Sequence, residues 1–130
     1  MDLPKDIQLT KVKYTNKINK MTEVKPNSLS IDTDVLNKVA SLLINSKKPI
    51  IYGGGGLINS GPEASALLRE LVDLIDAPVT LTLMGLGSVP NNHKNFLGML
   101  GMHGTYEANL AMHNCDVMIN IGARFDDRVT

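Results

Sequence analysis

Residues 97–130 of this chain, LGMLGMHGTYEANLAMHNCDVMINIGARFDDRVT, place a glycine-rich loop, a short helical stretch, an apolar strand and a charged turn in direct succession. Gly101, Met102, His103, Gly104 and Thr105 read as a loop ending in a helix cap, because glycine permits close backbone approach and a threonine hydroxyl bonds first-turn amides. A helix start of that kind favours an anion such as a diphosphate. Residues 116–121, DVMINI, have the length and apolar content of a buried strand, and they run straight into Gly122, Ala123, Arg124, Phe125, Asp126, Asp127 and Arg128. Charged side chains at a strand's carboxyl end are placed for ligand work. A guanidinium such as that of Arg124 holds a diphosphate in a fork that lysine cannot reproduce; the competing account is a surface ion pair with Asp126 or Asp127.

The rest of the chain must position that site. Asp32 or Thr33 can cap a first helix whose Val35, Leu36, Val39, Leu42 and Leu43 fall on one face, and Lys47, Lys48 and Pro49 end it. Ile50, Ile51 and Tyr52 form a short strand that discharges into Gly53, Gly54, Gly55 and Gly56. Pro62 starts the next helix, with Ala64, Leu67, Leu68, Leu71, Val72 and Ile75 on a single face and Arg69 on the opposite, solvated one. Asp76, Ala77 and Pro78 break it, and residues 79–83 make a second strand that enters the loop around Gly85, Leu86, Gly87 and Ser88. A surface segment at 91–95 precedes the loop and short helix of 101–114, and 116–121 is the third strand. Strands alternating with helices predict a Rossmann-like α/β fold, a parallel sheet with helices on both faces. Ligands of such sheets sit outside the carboxyl ends of the strands, where all three strands here meet glycine-bearing loops. A three-stranded sheet leaves an unpaired edge, so further strands are expected after Thr130.

The four glycines fail the dinucleotide fingerprint G-x-G-x-x-G. Counted from Gly53 the third position is Ile58, and counted from Gly54 it is Asn59. The second strand ends Thr82, Leu83, Met84, with no acidic residue to hold a ribose, so hydride chemistry on a nicotinamide cofactor is poorly supported.

Composition narrows the class further. Thirteen basic and thirteen acidic residues cancel, which excludes a global field for nucleic acid or an anionic membrane. No run of eighteen apolar residues is present, and the first residues lack a signal peptide's pattern, so a cytoplasmic setting is expected. Cys115, the single cysteine, excludes an internal disulfide and reads as a small core residue. No His, Cys and carboxylate cluster stands at metal-ligand spacing.

Seven sequence words carry a family resemblance: GMLGMHGT, the Ala108 and Asn109 pair, the Cys115 and Asp116 pair, GARFDDRVT, KPIIYGGG at 48–55, PVTLTLMGLG at 78–87 and DLPKDIQ at 2–8. Together they closely resemble the central domain of the acetolactate synthase (acetohydroxyacid synthase) catalytic subunit, a family of thiamine-diphosphate enzymes. The resemblance implies an organisation of residues 1–8 as the end of a preceding pyrimidine-binding domain, 9–30 as a linker and 31–130 as part of an FAD-binding central domain. It implies that Gly53, Gly54 and Gly55 admit FAD to the backbone, that Thr82, Leu83 and Met84 contact it from the second strand, and that Met102, His103, Gly104, Thr105, Gly122, Ala123, Arg124 and Asp126 wrap it. Read alone, His103 could equally be a buried core histidine. Asp127 and Arg128 would form a pair at the rim of the substrate channel, Met84, Met99 and Met102 would line the flavin or the substrate approach, and Met112 and Met118 would pack the core.

For the whole protein the resemblance implies decarboxylation of pyruvate on thiamine diphosphate with Mg²⁺, and transfer of the two-carbon unit to a second pyruvate or to 2-oxobutyrate, in branched-chain amino-acid synthesis. The activating glutamate and the diphosphate and Mg²⁺ motif belong to flanking domains, so no catalytic residue or metal site is expected in this segment, which alone would be inactive. A homodimer of catalytic subunits with a regulatory small subunit is the implied assembly. One departure stands out. The family supplies an arginine to the flavin from the connector before the first helix, whereas here no arginine precedes Arg69, leaving Lys11, Lys13 or Lys17 as substitutes. Rival readings are another thiamine-diphosphate carboligase or decarboxylase, such as glyoxylate carboligase, and a non-catalytic dinucleotide-binding module.

Overall fold

The computed structural model of the protein describes residues 4–13 and 31–129. The chain divides into two units, Met1–Ser30 and Ile31–Thr130. Of the first, the described part is a single helical turn, α1 (Lys5–Leu9), exposed throughout and closed by a bond of 2.8 Å from the Thr10 hydroxyl to the Asp6 carbonyl. The expected linker, with Lys17 in it, falls mostly at 14–30, outside the described residues; Lys11 and Lys13 are exposed.

The second unit opens with α2 (Thr33–Asn45), capped by Asp32, whose carboxylate accepts the amides of Asp34 at 2.9 Å and Val35 at 3.3 Å. It continues through β1 (Pro49–Gly53), a short α3 (Gly55–Asn59), α4 (Pro62–Ile75) and β2 (Val79–Leu81). A 3-10 turn (Leu83–Gly85), β3 (Phe96–Met99), α5 (Tyr106–Asn114) and β4 (Val117–Ile121) complete it. All pairings are parallel and the strand order is β3-β2-β1-β4. Ile51 lies opposite Val79 on one side and Ile119 on the other.

The α/β class is as the pattern of elements requires, but the sheet has four strands rather than three. The strand absent from the sequence reading is β3, whose FLGM carries Gly98 at φ +88° and pairs with a shifted register. A four-residue strand with a glycine inside it has no legible alternation. The second strand also stops at Leu81, earlier than expected, because the Thr82 hydroxyl accepts the Gly85 amide at 3.1 Å and starts the 3-10 turn.

Alternation along β1 divides the core. On one face Ile51, Val79 and Leu81 meet Leu57 of α3, Leu68 and Val72 of α4, and Val89. On the other, Tyr52 packs with Leu100 and Val129, flanked by Met112 of α5 and Met118, so each face carries a helix and both methionines pack as expected. Ile51 and Val79 are wholly buried, each stabilising the fold by about 1.5–3 kcal/mol. In α4 the buried arc runs through Ser65, Leu68 and Val72, which leaves Leu67, expected inside, 62% exposed. That rotation also places Arg69 on the arc's flank, and its Nη1 donates to the Ser88 carbonyl at 2.9 Å; Arg69 is therefore not the solvated residue expected. The apolar stripe of α2 is less covered than predicted: Val39 and Leu43 are half-buried, while Val35, Leu36 and Leu42 are exposed.

Asp116 ties the start of β4 to the turn between α2 and β1. Its carboxylate accepts from the Ser46 hydroxyl and from the amides of Lys47 at 2.8 Å and Lys48 at 3.0 Å. These bonds, that from Ser46 foremost, lower its pKa to about 2. A carboxyl held below its unfolded value stabilises the fold above the ordinary carboxylate range and loses that contribution as the pH falls toward about 2. Asp116→Asn is therefore expected to lower the urea midpoint at pH 7, with the gap from wild type narrowing between pH 4 and pH 2. A gap unchanged across that range would show that the charge of Asp116 contributes nothing.

Candidate functional site

Strand order locates the site. From β1 the chain steps outward to β2 and β3, then returns across β1 to lay β4 on its other side. The segment after β1 joins the face of Leu57 and Leu68, whereas the segment after β4 reaches the opposite face through Val129. The chain continues from these two neighbouring strands to opposite faces, and such a switch point is where open parallel sheets take their ligands.

At that edge the two loops meet backbone to backbone. The Gly54 amide donates to the Ile121 carbonyl and the Gly56 amide to the Gly122 carbonyl, both at 2.9 Å. A β-carbon at Gly54 would stand 2.3 Å from the Ala123 Cα, and one at Gly56 would stand 2.8 Å from the Gly122 Cα. Gly122 itself adopts φ +66°. These glycines are thus required by the contact between the loops, and Gly54 and Gly56 have already committed the amides that a phosphate would take. Gly53 and Gly55 press instead on Leu81 and Met84.

Around this contact the loops present side chains. Asn120 folds back on the β4 turn, donating to the Ala123 carbonyl at 2.8 Å and accepting its amide at 3.2 Å. Beyond the turn the Arg124 side chain is 87% exposed and its Nη2 lies 3.2 Å from Asp126, so of its two candidate ion-pair partners Asp126 is the one in contact. Asp126 also accepts the Arg128 amide at 3.0 Å. Among the described residues Asp127 and Arg128 form no ion pair with each other, and both follow Asp126 on the same exposed turn. The exposed Phe125 ring packs on Tyr52, with centroids 5.5 Å apart. Burial first, and the charge of Asp126 second, raise the Tyr52 pKa, which keeps the phenol neutral.

Beneath the loop after β3, Thr105 caps α5 as expected, its hydroxyl accepting the Ala108 amide at 3.2 Å while donating to the Leu97 carbonyl at 2.5 Å. Gly104 is held against the Met99 carbonyl, and Met102 and His103 project as exposed side chains. Leu83 and Met84 are exposed after β2. Arg124, Leu83, Met84, Met102, His103 and Phe125 therefore belong to loops leaving the same edge of the sheet. The sequence reading left Phe125, Asn120 and Asn109 without roles; Asn two residues before Gly122 was the available signal for a side-chain-closed turn. Cys115 is half-buried, its thiol donating to the Met112 carbonyl at 3.0 Å, and burial raises its pKa. No cluster of three metal-ligating side chains exists among the described residues.

Two hollows lie elsewhere. One, of about 690 Å³, separates α2 from the start of β4, and another, of about 730 Å³, lies by the amino ends of β1 and β2 and the end of α5. Neither includes a residue of the carboxyl edge. The switch point, with exposed apolar and cationic side chains on the loops that follow it, favours the edge.

This layout is that of the doubly wound α/β domains. Residues 36–130 match the family described as thiamine pyrophosphate enzyme, central domain, and the chain belongs to that family. Across its whole length it is 47% identical to the acetolactate synthase large subunit of Buchnera aphidicola from Schizaphis graminum, and 43% identical to the acetolactate synthase isozyme 3 large subunit of Escherichia coli. It is likewise 43% identical to the mitochondrial acetolactate synthase catalytic subunit of Saccharomyces cerevisiae. The chain spans 23%, 23% and 20% of these three proteins.

The loop contact generates a prediction. Gly54→Ala drives a methyl into the Ala123 backbone, which no rotamer relieves, and is expected to destabilise the fold by about 1–3 kcal/mol. Urea denaturation of the variant checks this, and a midpoint equal to wild type would mean that the two loops are not in contact in solution.

Proposed function

We propose that this chain is the central-domain part of an acetolactate synthase catalytic subunit and that its carboxyl edge holds FAD. What supports the reading is that an exposed guanidinium, Arg124, and the exposed apolar side chains of Leu83, Met84, Met102 and Phe125 all stand on loops that follow the carboxyl ends of strands of one parallel sheet. A flavin dinucleotide has both features to match, a broad apolar ring and a diphosphate. With the amides of Gly54 and Gly56 committed to the carbonyls of Ile121 and Gly122, the diphosphate falls to Arg124. Gly53, Gly55, Thr82, His103, Gly104, Thr105, Gly122, Ala123 and Asp126 shape the surrounding backbone, and Asp127 and Arg128 stand at the rim.

The whole protein would join two pyruvates, or pyruvate and 2-oxobutyrate, into acetohydroxy acids. Thiamine diphosphate, bound with Mg²⁺ by flanking domains, would supply the carbanion chemistry. In this segment the residues bind and orient, and none acts as acid, base or nucleophile. The names of the relatives, large and catalytic subunit, support a catalytic subunit that pairs with a regulatory one. No helix among the described residues is long and apolar enough to cross a membrane, and a cytoplasmic enzyme is the setting we propose.

The test is acetolactate formation from pyruvate by the full-length protein with thiamine diphosphate, Mg²⁺ and FAD; no product under those conditions would end the reading. Within it, Arg124→Ala is expected to weaken FAD by roughly ten- to a hundredfold, the loss of a charge-assisted forked contact. Lys38→Ala, on α2 beside the hollow away from this edge, should leave the titration unchanged. Equal affinities for the two variants would leave Arg124 as Asp126's surface partner only.

A further inference from the structure

The loop bearing His103 and the turn bearing Arg124 leave different strands, yet one side chain on α5 ties them together. Asn109, on the second turn of α5, accepts the Gly101 amide at 2.9 Å and donates to the carbonyls of Gly101 at 3.0 Å and Thr105 at 3.1 Å. Gly101 adopts φ +103°, and a β-carbon there would stand 2.3 Å from the Arg128 carbonyl oxygen. That same carbonyl accepts the Met102 amide at 2.9 Å. Asn109 thus bonds both polar groups of Gly101, a residue packed against the 126–129 turn, and through it ties the loop that bears His103 to the turn that bears Arg124.

The geometry points to Asn109 as a positioning residue for the ligand edge, a role that rests on the flavin reading above. Donor and acceptor are both needed. An aspartate could accept the Gly101 amide but would set its charge against two carbonyls, and an alanine leaves the Gly101 amide without its acceptor, whereas the Gly101 and Thr105 carbonyls keep the backbone amides of Gly104 and residue 109. Asn114, one turn further along the same helix, makes only the internal bond to the Leu110 carbonyl at 2.8 Å, so Asn114→Ala removes a comparable amide without touching the loop.

The experiment uses the full-length protein, with FAD titration, the visible circular dichroism of the bound flavin, and backbone hydrogen exchange of the flavin-free form. Asn109→Ala and Asn109→Asp are each expected to weaken FAD about tenfold, as loss of loop preorganisation by one or two neutral hydrogen bonds. Both should alter the flavin dichroism and speed exchange at Gly101 and Met102 while Ile51 and Val79 keep their protection, and Asn114→Ala should match wild type. Unchanged affinity and dichroism in Asn109→Ala, in a protein that binds FAD, would overturn the positioning role alone. Lost protection at Ile51 and Val79 would overturn it too, by making Asn109 a general stability residue. If the unmodified protein binds no FAD, the flavin reading falls and this role with it.

Discussion

The contact between the loop after β1 and the loop after β4 is the constraint on which the rest of this domain depends. It consists of backbone against backbone, Gly54 and Gly56 on Gly122 and Ala123, sealed by two amide bonds of 2.9 Å. Side chains larger than hydrogen on the first loop would hold β4 away from β1 at its carboxyl end, where Gly53 pairs with Ile121. Parallel pairing tolerates no such splay, because its evenly spaced bonds must be made in series. The contact also bears on the proposed anion site. The Gly54 and Gly56 amides bond carbonyls of the neighbouring loop and are not offered outward, so under that proposal an anion would depend on side-chain charge.

Loops rich in glycine lose much conformational entropy on folding. Here three loops of the carboxyl edge are each latched by a side chain to main-chain atoms: Ser88 by Arg69, Gly101 by Asn109 and Ala123 by Asn120. Each latch belongs to a helix or strand already ordered by the core, so its own side chain pays little additional entropy. Rigidity is thereby imported from α4, α5 and β4 into segments with few apolar contacts of their own, which is the condition for holding several ligand groups at fixed separations.

How much of this was legible in the sequence depended on whether the determinant was local. The caps at Asp32 and Thr105, the proline start of α4, the strands at Ile50 and Val117 and the parallel class all follow from patterns within a few residues, and all are present. The elements that escaped are tertiary in origin. Strand β3 has a glycine at φ +88° and exists because β2 offers it a partner. Helix α3 begins on Gly55 and Gly56, poor helix formers, and is held by burial of Leu57. The side to which α4 turns, and so the exposure of Leu67 and the bond of Arg69, follows the packing of Leu68 and Val72 on the sheet. For the site, the charged turn and glycine loops announced the edge, while the pairing of Arg124 with Asp126 was one of two local possibilities that only geometry could separate.

That pairing bears on how the edge could bind an anion at all. An ion pair between exposed side chains contributes about 0–1 kcal/mol, since water solvates each partner nearly as well as the other does. Arg124, 87% exposed and paired at 3.2 Å by a single nitrogen, is in that regime. Exchanging Asp126 for a diphosphate would therefore cost little and gain a forked, doubly charged partner. Asp126 would not be left unsatisfied by the exchange, because it retains the Arg128 amide at 3.0 Å. Nor would the turn unravel, because Asn120 and the Met102 bond to the Arg128 carbonyl hold it independently of Arg124. A guanidinium that is oriented but weakly engaged, on a turn fixed by other bonds, has the properties required of a reversible anion ligand.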